Sequence, residues 1–124
     1  MLSGKHDPLP ERPYFYIYAF KTDDDRFVKV GKSIDPDKRI KQLNSNRADQ
    51  LLKLATIKFS KSEQADAAER IAQEILWAEG FHYRNEWFEF DLAEVVETFE
   101  YIRHRYQLPK TRLWWSEYYL DMMR

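Results

Sequence analysis

Two distances centred on one glycine carry much of the chemical signal in this chain. Tyr18 lies thirteen residues before Gly31, and Arg39 lies eight residues after it. The run Lys29-Val30-Gly31-Lys32-Ser33 adds two ammonium groups and a hydroxyl around that glycine. The surrounding stretch is basic: residues 26–61 hold ten Lys and Arg against three Asp, whereas residues 62–106 hold four Arg against eleven Asp and Glu. The net charge of −1 therefore conceals a segment basic enough to meet a polyanion, or to pair with the acidic segment that follows. Other chemistries are left out. Gly31-Lys32-Ser33 lacks the GxxxxGK frame of a phosphate-binding loop, and the Asp23-Asp24-Asp25 run lacks the spacing and the Glu of a calcium-binding EF-hand. With no cysteine there is neither a disulfide framework nor a thiolate zinc site, and His6, His82 and His104 are scattered without metal-ligand spacing.

The elements that must position these residues follow from pattern and punctuation. Residues 1–13, with Pro8, Pro10 and Pro13, predict an extended lead-in. Residues 14–20 are aromatic and apolar on both faces, as expected of a central strand, and residues 26–31 return as its hairpin partner. A turn at residues 22–25 that pairs Lys21 with Arg26 sets Phe20 opposite Phe27 and Tyr18 opposite Lys29, a phenol and an ammonium side by side. Asp35 as N-cap and Pro36 at the first turn predict a helix over 35–45, with Arg39 beside its Ile40 and Leu43 face. Residues 51–59 predict a third strand. Ser60 and Glu63 read as a capping box for a helix over 62–79 that turns Ala65, Ala68, Ala72, Ile75 and Leu76 inward and stops at Gly80. A short strand at 87–90 precedes a helix from Asp91 to about Tyr106, which Pro109 terminates, and residues 112–124 predict a short terminal helix. The result is an α+β fold: a small antiparallel or mixed sheet, begun by a β-hairpin and flanked by helices, in a domain of residues 14–106. The extension at 107–124 carries Trp114, Trp115, Tyr118, Tyr119, Met122 and Met123, which are costly to leave in water. Docking on the domain's own sheet or on a second copy, giving a homodimer, is expected.

Tyr16-Ile17-Tyr18 on the first hairpin strand, Lys29-Val30-Gly31 on the second and Arg39 on the next helix resemble the GIY-YIG nuclease superfamily in kind and in spacing. VKVGKSIDPDKRIKQL at 28–43 and Glu86-Trp87-Phe88 are similar to a phage- and mobile-element-associated branch that reads K-I-G-x-S…P-x-x-R-x-x-Q-L and closes with EWF. Glu69 stands where that branch carries a glutamate in the helix before EWF. The resemblance, over residues 14 to about 90, implies hydrolysis of phosphodiester bonds in DNA with one divalent cation, Mg2+ or Mn2+, held by Glu69. It implies that Arg39 clamps the scissile phosphate. Tyr18 then orients or deprotonates the attacking water, its phenol pKa lowered by Lys29. Lys32, Ser33, Lys38, Lys41 and Asn85 would contact substrate, and Gly31 would let the backbone leave the strand. The chain departs from the pattern at three points. Its first tripeptide has no glycine, Lys29 replaces the tyrosine of the second, and Gln73 stands where the branch often has histidine.

No apolar run approaches the ~18–20 residues that span a bilayer, and the first residues lack the apolar core of a signal peptide. A soluble, cytoplasmic protein with no membrane partner is expected, acting on DNA with low intrinsic sequence specificity and with RNA also open as a target. Two alternatives accompany the nuclease: a nucleic-acid-binding module that kept the fold and lost catalysis, and an interaction protein that recruits a partner through its aromatic tail.

Overall fold

The computed structural model describes residues 13–122. Among these, β1 (Phe15–Thr22) and β2 (Phe27–Ser33) form the opening hairpin, followed by α1 (Pro36–Asn44), β3 (Leu51–Phe59) and α2 (Ser62–Ala78). A second, very short hairpin, β4 (His82–Arg84) and β5 (Trp87–Glu89), leads into α3 (Leu92–Arg105), β6 (Leu113–Trp115) and α4 (Glu117–Met122). All pairings are antiparallel, in the order β4-β5-β2-β1-β3-β6, so the first strand of the chain is central, as its two-sided apolar pattern requires. This is the expected α+β architecture.

Strand alternation sends successive β1 side chains to opposite layers. Ile17 and Ala19 join Val28, Val30, Ala55 and Ile57 beneath the alanine face of α2 and beneath Val95, Phe99 and Ile102 of α3. Tyr18 and Phe20 point the other way and form a smaller core with Leu51, closed by half-buried Ile40 and Leu43 of α1 and by Trp87. Asp35 caps α1 by accepting from the Lys38 N–H, and Asp91 caps α3 from Glu94 in the same way. At the end of α2, Gly80 adopts φ +88° and the Gly80 and Phe81 N–H groups bond to Trp77 and Leu76, a Schellman stop.

Four expectations are corrected. The hairpin loop is residues 23–26, one residue further on than expected, so Tyr18 faces Gly31 and Phe20 faces Lys29. Thr22 sets this register: its hydroxyl accepts from the Phe27 N–H at 3.1 Å and donates to Asp24 at 2.6 Å, and Asp24 accepts from the Arg26 N–H. The slip moves both strands by one residue, so Tyr18 and Lys29 stay on one face. The Ser60–Glu63 capping box is absent, because the backbone stays extended to Lys61, which becomes the N-cap and leaves Ser60 one residue too early. The strand at His82–Arg84 has no apolar alternation to announce it.

The fourth correction concerns the tail. Where a helix was expected from 112, residues 113–115 extend the sheet on β3, pairing Leu113 with Ile57, Trp114 with Thr56 and Trp115 with Ala55, and the helix begins only at Glu117. Leu113 enters the main core, and Trp115 stacks on Tyr119 with ring centres 4.5 Å apart. Tyr118 reaches the hairpin tip, where its hydroxyl donates to Asp25 and its ring lies 4.1 Å from the buried Lys21 ammonium, itself 2.7 Å from Asp25. Burial and the Asp25 carboxylate push the Tyr118 phenol up to about 12. Met123 and all of the lead-in but Pro13 lie outside the described residues. No helix among the described residues is long and apolar enough to cross a membrane.

Because Leu113 is part of the core, Leu113→Ala is expected to cost about 2–4 kcal/mol, as for other buried leucines. Urea denaturation followed by circular dichroism measures this, and a change under about 0.5 kcal/mol, the size expected at an exposed site, would show that β6 is not integral to the fold.

Candidate active site

The site is built around a ring that crosses a strand. Tyr18 is only 1% exposed and stacks on Phe20 with centroids 3.8 Å apart, so its phenol is steered sideways across the neighbouring β2 backbone. Beneath it is Gly31. A Cβ at that position would meet the Tyr18 hydroxyl and would lie 2.6 Å from its Cζ, far inside van der Waals contact. The glycine is therefore required by the close approach of the phenol. It does not serve to take the backbone out of the strand, since β2 continues through Ser33.

Two helices bring charged groups to this phenol. Pro36, Ile40 and Leu43 turn α1 toward the sheet, and exposed Arg39 emerges at the margin of that face. Its guanidinium acts on the Tyr18 phenol, opposing the rise of its pKa. The second helix approaches from the other layer, along the edge of β2 that β5 leaves uncovered beyond Val30. Asp66 of α2 pairs with Lys32, and the Gln73 amide donates to the Val30 carbonyl at 2.8 Å. Asp66, Glu69 and Gln73 share one helix face, so Glu69 lies on the side of α2 that is turned toward β2, and its charge acts on Tyr18. Sequence spacing matched Gln73 to a histidine; here its amide fastens α2 to β2.

The electrostatics record the convergence. Burial raises the Tyr18 pKa, Arg39 opposes the rise, and the carboxylates of Glu86 and Glu69 add to it. The expectation that Lys29 lowers this pKa is corrected, since the Lys29 ammonium is 2.6 Å from Glu86 and its positive charge is matched there. The Glu69 pKa is also raised, first by burial and then by Glu86, with Lys32 and Lys29 among the opposing charges. Glu69 makes no hydrogen bond or ion pair among the described residues. Glu86 was missed as a site residue although it opens the EWF motif; its side chain closes the acidic side of the cluster.

Tyr18, Lys29, Arg39 and Glu69 are thus brought together from two strands and two helices, with Lys32 at their edge. The remaining candidates are less central. The Ser33 hydroxyl is used locally, accepting from the Asp35 N–H at 3.0 Å. Lys38 and Lys41 are exposed on the side of α1 away from the sheet. Asn85, at φ 54°, lines a separate cleft of about 330 Å³ with Arg70, Gln73 and Trp77, on the far side of Gln73 from Gly31.

The model of the T5orf172 domain matches residues 13–103, most of the chain and all of this site. The chain belongs to the T5orf172 family. That family is phage-associated and lies among nuclease-like domains, which brings DNA binding and strand cleavage into view without fixing either. No curated protein and no solved structure matches the chain. Of the T5orf172 domain described here, the matched region ends within α3, so β6 and α4 lie beyond it.

Two outcomes follow from the packing and the charges. Gly31→Ala is expected to destabilise the domain by about 1–3 kcal/mol through overpacking against Tyr18. In a double-mutant cycle with Tyr18→Ala that cost should largely disappear, and strictly additive effects would contradict the close approach. Glu69 has a folded-state pKa above its ordinary value, so its carboxyl favours the fold below that ordinary value and loses this contribution as pH rises through the raised one. Metal-free Glu69→Gln should therefore melt higher than the wild type at about pH 7, with the gap closing toward about pH 4, near the unperturbed carboxyl pKa. Thermal melts in EDTA across that range test it, and a variant less stable at neutral pH would refute the assignment.

Proposed function

We propose that this T5orf172 domain is a metal-dependent DNA endonuclease of the GIY-YIG type, acting in the cytoplasm with little sequence specificity of its own. The observation that supports the reading is the electrostatic coupling of one phenol, Tyr18, to both Arg39 and Glu69, with the ring lying over Gly31. Hydrolysis of a phosphodiester requires a positioned water, a clamp on the phosphate and stabilisation of the leaving oxygen at one point. Arg39 offers a planar fork to the non-bridging phosphate oxygens. Tyr18, its pKa raised, is protonated at neutral pH and acts as a hydrogen-bonding group that orients water or phosphate, not as a standing phenolate. Lys29 pairs with Glu86, whose carboxylate acts in turn on Glu69.

The donor set fits one hard cation. Glu69 is a half-buried carboxylate with no hydrogen-bonding partner among the described residues, and Glu86 raises the cost of its charge. Among the described residues there is no group of three or more His, Asp or Glu side chains able to hold an ion, so water would complete the coordination of Mg2+ or Mn2+ at Glu69. When bound, the ion supplies Lewis-acid stabilisation of the leaving oxygen. A binding module without catalysis is the second reading; it is favoured by Gln73, whose amide is occupied by Val30, and by the neutralisation of Lys29.

Labelled DNA incubated with Mg2+, Mn2+ or EDTA separates the two. Cleavage should require metal, and Arg39→Ala should slow it by about 10²–10³-fold, as for loss of one preorganised transition-state donor. Glu69→Gln should abolish cleavage with binding intact, and Mg2+ should raise the melting temperature of the wild type but not of this variant. Tyr18→Phe should fold and lose turnover. Cleavage that persists in EDTA would sink the one-metal mechanism, and metal-independent binding with no cleavage would establish the second reading.

A further inference from the structure

Trp114 is the one residue of β6 that turns away from the main core. Leu113 and Trp115 pack inward, whereas the Trp114 side chain is 43% exposed on the Tyr18 face of the sheet. Its register is specific. Gly31, Tyr18, Thr56 and Trp114 form one row across β2, β1, β3 and β6, so Trp114 stands two strands from the Tyr18 backbone, about 10 Å at ordinary strand spacing, and the phenol lies one strand further on. The intervening surface is basic. The Lys53 ammonium lies 4.5 Å from the Trp114 ring centre while also pairing with Asp37 of α1. Further along the same face, half-buried Tyr14 has Lys58 at 4.0 Å and Arg112 at 5.4 Å from its ring. No carboxylate pairs with Lys58 or Arg112 among the described residues.

We infer that the DNA engaged by this site carries unpaired bases, which stack on Trp114 while Lys53, Lys58 and Arg112 take the adjoining phosphates; this rests on the nuclease reading above. Cations alone would serve a duplex, whose base faces are covered by their neighbours. An exposed aromatic ring flanked by cations instead suits a single strand, whose bases have free π-faces. Lys53 now occupies the ring face a base would take, and its partly exposed side chain can exchange the ring for a phosphate without unfolding anything. A polyanion is the occupant that answers both features, because an apolar peptide would leave Lys58 and Arg112 without counter-charge and the phosphates of a strand alternate with bases that can meet Trp114. The strip lies on the same sheet face as Tyr18, next to α1, which carries Arg39, so the strand that stacks is the strand presented for cleavage, as at a junction between paired and unpaired DNA.

Fluorescence anisotropy in EDTA tests this with a thymidine oligonucleotide of about twenty residues, a blunt duplex of equal length and the matching uridine oligonucleotide. The thymidine strand should bind tighter than the duplex. Trp114→Ala should weaken binding of the strand by about 10–100-fold, the range for loss of one base–aromatic stack, and of the duplex by less than about twofold. Trp114→Phe should retain most of the strand affinity, which guards against a general folding effect. Lys58→Ala should lower the salt dependence of strand binding by roughly 0.7 in log–log slope, one phosphate contact. Equal affinity of the wild type for strand and duplex, equal losses on both in Trp114→Ala, or tighter binding of the uridine strand would overturn the inference. EDTA keeps the two readings apart: a domain that prefers the thymidine strand but never cuts in metal loses the nuclease reading alone.

Discussion

The Tyr18 phenol can lie against β2 only because nothing projects from Gly31. Much of this layer of the domain is arranged around that contact. The ring extends the stack begun by Phe20, and together with Leu51 they form the surface on which Ile40 and Leu43 seat α1. Seating α1 brings Arg39 to the sheet margin. The same crossing carries the Tyr18 hydroxyl to the edge of β2, where α2 approaches from the opposite layer. A helix above the sheet and a helix below it thus present side chains to one point, and they meet around the edge of a strand.

That point is electrically unbalanced in a consistent way. Burial opposes the ionised forms of both Tyr18 and Glu69, and Glu86 opposes them further. Lys29 is matched by Glu86 and Lys32 by Asp66, which leaves Arg39 as the cation directed at the phenol. The basic and acidic halves of the sequence therefore do pair across the fold, but the pairing stops short of Glu69. A half-buried carboxylate beside another carboxylate is a local cost to stability, which Lys32 and Lys29 offset in part and which protonation or a bound cation would relieve further.

Much of this was legible in the sequence, and the gaps have physical causes. The spacing of Tyr18, Gly31 and Arg39 reported a hairpin followed by a capped helix, since Asp35 and Pro36 act locally and their neighbours do not override them. The hairpin loop was placed one residue too early, which shifts the pairing by two, because Thr22, an ordinary strand residue by composition, acts here through its hydroxyl to set the turn. A slip of both strands together conserves the faces, which is why Tyr18 and Lys29 still share one. Glu86 was hidden because its partner is 57 residues away, a pairing that no local pattern announces. The last strand was read as helix because Leu113-Trp114-Trp115 is too short to show alternation; it is strand only because β3 offers an open edge. Gln73 shows the reverse error, in which a position matched to a functional residue serves to join two elements.

The strand order also bears on how the chain reaches this state. Among the described strands β1 is central and β6 is at an edge, so β6 joins a sheet whose other strands all precede it in the chain. The hairpin of β1 and β2 closes over a four-residue loop, whereas β3 must find β1 across an intervening helix and β6 must find β3 from more than fifty residues away. Until β6 arrives, nascent chains present the bare edge of β3, and with it Thr56 and Ala55, to any other strand nearby. The C-terminal residues therefore act as a cover for a template that the growing polypeptide has already built, and the interval before they leave the ribosome is when this domain is most open to pairing with the wrong partner.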